Sequence, residues 1–146
     1  MAISTRGVVH SKVRMGAFDR EAFQEFITEL SLLMMTDKVA FVMDNCRIHY
    51  SVTFDNANHV IVYLPPYSPF LNSIEGVFSG LKAGFKMNIS NLPCRENLTM
   101  PERRDALMNA IYQEIGNVQV DVINSHYRHC TKFYSNCLQK LEIIGD

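Results

Sequence analysis

The chain lacks a dominant charge. Its 146 residues carry 14 Lys and Arg against 15 Asp and Glu, a formal net charge of −1. Proteins that bind a polyanion over a whole surface are usually much more basic, so any contact with nucleic acid has to rest on local patches. Long hydrophobic runs are missing too. None approaches the roughly 20 apolar residues that cross a bilayer, which excludes a membrane-spanning helix. Residues 1–17 are polar rather than leader-like, and the four cysteines, Cys46, Cys94, Cys130 and Cys137, form no paired framework. Together these features point to an intracellular, reduced setting. There is no internal repeat and no low-complexity tract. Proline is scarce, five in all, and Pro65, Pro66 and Pro69 crowd into one stretch, LPPYSPFLNSIE at residues 64–75.

What is present suits a single globular domain, with 47% hydrophobic and 20% charged residues and an ordinary buried core. One local imbalance stands out. Arg6, Lys12, Arg14 and Arg20 face only Asp19 in the first twenty residues, which reads either as a solvated surface or as a basic arm for phosphate. A short β-like run, GVVHSKVRMG, ends at Gly16. Asp19 can then cap a helix by accepting from the free amides of its first turn. Ala22, Phe23, Phe26, Ile27, Leu30, Leu33 and Met34 recur at helical spacing and predict its inner face.

KVAFVMD (38–44) and HVIVYL (59–64) are apolar without alternation, the pattern of strands covered on both faces. Helix and buried strands in this order predict an α/β layer, whose sites lie beyond the carboxyl ends of the strands. Asp44 and the stretch 64–75 both fall there. A helix is expected from Asn72, with Ile74, Val77, Phe78, Leu81 and Phe85 inward, and a loop-like break at residues 88–100. A further helix opens at Pro101 and Glu102, with Leu107, Met108, Ile111 and Ile115 inward and Gly116 as its stop. Residues 118–143 are ambiguous, since Val118, Val120 and Val122 alternate like a strand, but most of the segment reads as helix.

Glu75 carries two competing readings. It stands three residues after Asn72, where a glutamate reaches back to the cap amide; a carboxylate bound in that way is not free for a metal. Asp44 reads as a turn residue with Asn45 or as an acid placed at a strand end. His126, His129, Cys130 and Cys137 are the one His/Cys cluster, and their spacing matches no usual zinc site.

The order of the pieces separates these readings. MDNCRIH (43–49) ends a buried strand in an acid, a second buried strand follows, and LPPYSPFLNSIE leads into a helix with VFSGLK. This arrangement resembles the catalytic domain of the mariner-like DDE transposases, which have a ribonuclease H-like fold. Those relatives carry D-N-x-x-x-H after a hydrophobic strand, then L-P-P-Y-S-P-x-L-N-P-I-E and a helix with Phe or Trp and Lys. The matching residues here are Asp44, Asn45 and His49, then Leu64 to Pro69, Leu71, Asn72, Ile74, Glu75, Phe78 and Lys82.

The resemblance implies an α/β fold: a ribonuclease H-like mixed sheet flanked by helices, at about residues 1–87, with a helical C-terminal part at about residues 100–144, all in one incomplete domain. It implies Asp44 and Glu75 as the second and third acids of a catalytic triad that binds Mg2+ or Mn2+, with DNA as partner and the nucleus as site of action. Phosphodiester transfer with two such ions needs hard oxygen ligands on rigid elements, and the prolines stiffen the approach to Glu75. Asn45 and His49 then lie behind the acids; His49 either orients Asp44 or a water, or packs at the strand end. Lys82 and Lys86 share a helix face with Glu75 and Ser79, where they meet DNA phosphates or only solvent.

Four departures qualify the match. Residues 45–74 separate the two acids, about one helical turn fewer than in those relatives. Ser73 replaces a proline suited to the first helical position. Gly76, Gly80 and Gly84 interrupt the helix at roughly 1 kcal/mol each relative to alanine, a stripe that reads as decay or as a close backbone approach. The family's first aspartate lies on a strand upstream of GVVHSKVRMG, and Asp19 is not in its place. The expectation is therefore a transposase remnant, inactive alone, with weak salt-sensitive DNA binding and a tendency to self-associate. The alternative is the C-terminal part of an active transposase.

Overall fold

The computed structural model describes residues 1–90 and 98–139. Cys94 and the last part of the expected C-terminal helix, residues 140–144, lie outside the described residues. The chain is a mixed α/β protein that forms two compact units. No helix among the described residues is long and apolar enough to cross a membrane.

One unit comprises Met1–Met15 and Ile74–His126. Strands β1 (Ala2–Ser4) and β2 (Gly7–His10) form an antiparallel hairpin, with Ser4 opposite Gly7 and an irregular register beside Ala2. Gly7 has φ +130°, a conformation open to glycine and costly for other residues. Helix α2 (Ser73–Ser90) enters this unit at Ile74 and buries Val77. Helix α3 (Met100–Gly116) starts at Thr99, whose side chain and amide both bond the Glu102 carboxylate. This capping box supplies the otherwise orphaned donors of the first turn. The helix starts one residue before the expected Pro101, and Asn117 rather than Gly116 caps its end.

Helix α4 (Val120–Thr131) takes up Val120 and Val122, whose alternation had suggested a strand. Ile123, its inward residue, is 2% exposed. The Asn124 side chain donates to the Thr5 carbonyl at 3.2 Å, and the Tyr112 hydroxyl accepts from the Val13 amide at 3.3 Å. These bonds tie α4 and α3 to the N-terminal segment.

The other unit comprises Gly16–Ser73 and the described residues from Tyr127 on. Asp19 caps α1 (Arg20–Leu33) as expected, its carboxylate accepting from the Ala22 amide at 2.8 Å. Ala22, Phe26, Ile27 and Leu30 are buried, while Leu33 is exposed because the helix ends there. Strands β3 (Val39–Met43) and β4 (His59–Tyr63) pair in parallel, Val39 opposite His59 and Met43 opposite Tyr63. The ladder continues through the Leu64 amide, which donates to the Met43 carbonyl at 2.8 Å.

Here the structure corrects the expectation that both strand faces are covered. Phe41, Met43 and His59 are buried, but Val42, Val60 and Val62 are exposed. Neighbouring strand residues point to opposite faces, so an unbroken apolar run can still leave one face open. His59 shows what holds the covered face. Its Nδ1 lies 2.8 Å from the Ser31 hydroxyl and its Nε2 lies 3.1 Å from the Met34 carbonyl. With Phe41 and Phe54 edge-on to the ring, this buried imidazole is both packed and satisfied, which removes the cost of burying it. Helix α5 (Tyr134–Leu138) completes the description. Phe70 and Phe133 pack edge to face at 5.4 Å.

Candidate functional site

Strand β3 ends at Met43, and the next residues turn away from the sheet. Asp44 is therefore exposed at the carboxyl end of the strand. His49 opens a 3-10 turn (His49–Ser51) that brings its ring back to Asp44. Its Nδ1 lies 2.7 Å from the Asp44 carboxylate and 3.2 Å from the Asp44 carbonyl. The same ring stacks on Phe23 of α1 with centroids 4.2 Å apart. The ring thus packs on the helix and contacts the Asp44 carboxylate at the same time.

Asn45 fixes the neighbouring backbone. Its amide nitrogen donates to the Leu64 carbonyl at 2.6 Å, and its oxygen accepts from the Tyr50 hydroxyl. Tyr63 donates to the His49 carbonyl at 2.9 Å, and the Tyr50 and Tyr63 rings are 5.2 Å apart. The segment after β3 is thus tied to the end of β4 by the side chains of Asn45 and Tyr63. Sequence reasoning singled out Asp44, Asn45 and His49 but not the two tyrosines that lie against them. Nothing in the spacing marks those tyrosines.

The approach to Glu75 runs through a 3-10 turn at Pro69–Leu71. Its geometry separates the two readings of the glutamate. The Asn72 amide, which a capping glutamate would engage, donates instead to the Pro69 carbonyl at 3.0 Å. Glu75 lies in the first turn of α2, exposed, and makes no hydrogen bond or ion pair among the described residues. Ser79, Lys82 and Lys86 are exposed along the same helix.

The glycines of α2 have a packing role at two of three positions. A Cβ on Gly76 would stand 2.3 Å from Nδ1 of His126, and one on Gly84 would meet the Glu114 carboxylate. Helices α4 and α3 therefore send side chains against the bare backbone of α2, and Asn88 bonds Glu114 beside Gly84. The stripe has a close approach at Gly76, and at Gly84 the neighbour is the tip of the Glu114 side chain. Gly80 has open space around it.

Asp44 and Glu75 are exposed carboxylates, and His49 occupies one oxygen of Asp44, leaving the other. Among the described residues no three His, Cys, Asp or Glu side chains gather into a metal-binding group. His129 packs edge-on to Phe133 and Cys130 is buried. Burial also raises the Cys130 thiol above its usual range.

The family model for DDE superfamily endonucleases matches residues 1–99, well over half of the chain, and the matched region holds both Asp44 and Glu75. The chain belongs to the DDE superfamily endonucleases. No curated protein and no solved structure matches it. DDE endonucleases generally use divalent metals, and the family implies a DNA substrate. For this member of the superfamily, the structure adds an aspartate held by a histidine at a strand end and an unencumbered glutamate on a helix.

Proposed function

We propose that this chain is part of a mariner-like transposase catalytic domain, in a ribonuclease H-like arrangement, with Asp44 and Glu75 as the second and third metal-binding acids. The observation that carries this reading is the state of the two carboxylates within the family match: both are exposed, and Glu75 is not spent on its own helix cap. Mg2+ or Mn2+, when bound, activates a water or 3′-hydroxyl and stabilises the leaving oxygen of a phosphodiester. The residues of this chain supply the rest. Asp44 and Glu75 present hard oxygens, His49 restrains the Asp44 carboxylate, and Asn45 locks the strand ends that carry it. Lys82 and Lys86 offer cations to DNA phosphates along the exposed side of α2.

Asp44 and Glu75 are two acids of the proposed three. The hairpin strands, AIS and GVVH, carry no carboxylate. The chain alone is therefore proposed to be catalytically inactive, with weak, salt-sensitive and sequence-indifferent DNA binding, since its net charge is near zero. Self-association is proposed on the strand edges: each two-stranded sheet leaves edges without a strand partner among the described residues. The nucleus is the proposed site of action, on the flavour of the LPPYSPFLN motif.

A nicking assay on supercoiled plasmid with Mg2+ or Mn2+ tests this reading, with Glu75→Ala as the contamination control. No nicking is expected from the 146-residue chain. Nicking that disappears in Glu75→Ala would show that another acid completes the triad.

A further inference from the structure

Tyr67 has a conformation and an exposure that neither acid accounts for. Its side chain is 99% exposed. It is also the one non-glycine among the described residues with a positive φ, 58°. A bulky residue in that region is disfavoured, and residues held so collect where function requires them. A plain turn would be served better by glycine. An aromatic ring ordinarily gains by burial, and this one is presented to solvent.

The chain around Tyr67 leaves β4 at the acid-bearing end of the sheet. Pro65 and Pro66 precede Tyr67 and Pro69 follows it, and the Ser68 hydroxyl donates to the Pro66 carbonyl at 3.3 Å. Leu64 is anchored on both sides, its amide to Met43 at 2.8 Å and its carbonyl to the Asn45 side chain at 2.6 Å. Tyr67 is three residues beyond Leu64, within roughly 11 Å by chain reach. Asn45 directly follows Asp44. Tyr67 thus lies on the segment that leaves β4 at the same sheet end where Asp44 leaves β3, within the same unit.

We infer that Tyr67 is a DNA-contact residue whose ring stacks on an unpaired base next to the phosphodiester addressed by Asp44. The inference rests on the reading of Asp44 as an acid of a DNA-processing site. Base–aromatic stacking is sequence-tolerant, because every base has a π-face. It also needs no basic surface, which suits a chain with a net charge of −1. A base paired inside a duplex has both faces covered, so the ligand is an unpaired or displaced nucleotide.

The chain has no tryptophan, so Tyr67→Trp installs a single indole reporter. Its emission is expected to be quenched by a short single-stranded oligonucleotide at low salt, and less by a blunt duplex. Tyr67→Ala is expected to weaken single-strand binding roughly five- to 150-fold, the range for loss of one stacked base. Tyr67→Phe keeps the ring and is expected to bind like the parent. Thermal melting of Tyr67→Ala should match the parent, since the ring touches solvent. Unchanged affinity in Tyr67→Ala overturns the inference and leaves the reading of the acids standing. Absence of DNA binding by the parent chain overturns both. Quenching that grows with protein concentration without DNA assigns the ring to a second copy and overturns the inference.

Discussion

Replacing Gly76 by alanine should separate packing from helix propensity in α2. The added Cβ would lie 2.3 Å from Nδ1, 2.6 Å from Cε1 and 2.6 Å from Cγ of His126. Carbon contacts are comfortable at about 3.5–4.0 Å, so the gap is short by about 1 Å. Cγ is the root of the ring, so swinging the tip does not relieve the clash; the side chain must leave its position or α4 must shift. Overpacking of this kind costs about 1–3 kcal/mol. Glycine to alanine in a helix interior returns about 1 kcal/mol. Gly76→Ala is therefore expected to lose between zero and about 2 kcal/mol. Gly80→Ala, with nothing within 4 Å, should gain about 1 kcal/mol. In a His126→Ala background Gly76→Ala should gain the same, giving a coupling of about 1–3 kcal/mol between the two sites. Urea unfolding of the four cycle members and Gly80→Ala measures each term. If Gly76→Ala stabilises as much as Gly80→Ala in the parent, His126 does not lie against α2. The contact also bears on the site, because a shift at Gly76 displaces the backbone next to Glu75.

Three further outcomes are expected. Asn45→Ala loses bonds to the Leu64 carbonyl and the Tyr50 hydroxyl and should cost about 1–3 kcal/mol in the same urea assay; an unchanged midpoint would mean these bonds do not hold the strand ends. The Thr99 hydroxyl and amide hold the Glu102 carboxyl below its usual range. Because the folded pKa is depressed, this contribution is present above the ordinary glutamate pKa and is lost as pH falls through the folded value. NMR titration of Thr99→Ala should show Glu102 moving upward, and an unmoved midpoint would contradict the capping box. Cys46 is exposed and Cys130 buried, so a thiol reagent on the native protein should label Cys46 quickly and Cys130 only on unfolding. Equal rates in peptide mapping would refute the burial of Cys130.

Local grammar made much of the fold legible. Asp19 followed by a 3.6-residue apolar rhythm marked α1 and its cap, and two β-rich apolar runs marked β3 and β4. The acid at the end of β3 and the long proline motif before Glu75 carried the resemblance to the family that the match over residues 1–99 shows at superfamily level. Other features depended on partners distant in the chain. The exposed face of β3 and β4 was hidden because an apolar run does not say which side is covered. His126 against Gly76 comes from another helix, and G-x-x-x-G spacing alone leaves its cause open. Strand β1 is three residues long, too short for a period to show. The Thr99-to-Glu102 spacing did carry a cap signature, masked by the stronger mark of Pro101. The fate of Glu75 turned on one hydrogen bond, from the Asn72 amide to Pro69. Proline content signals stiffness but does not say which carbonyl the stiff chain will present.

The central claim is that Asp44 and Glu75 are metal-binding acids, and Mn2+ titration followed by electron paramagnetic resonance tests it most directly. Two carboxylates with water make a weak site, so the parent chain is expected to bind Mn2+ weakly. The response should be lost in Asp44→Ala and, separately, in Glu75→Ala, with circular dichroism showing both variants folded. A Mn2+ response equal to that of the parent in both folded variants would contradict the account.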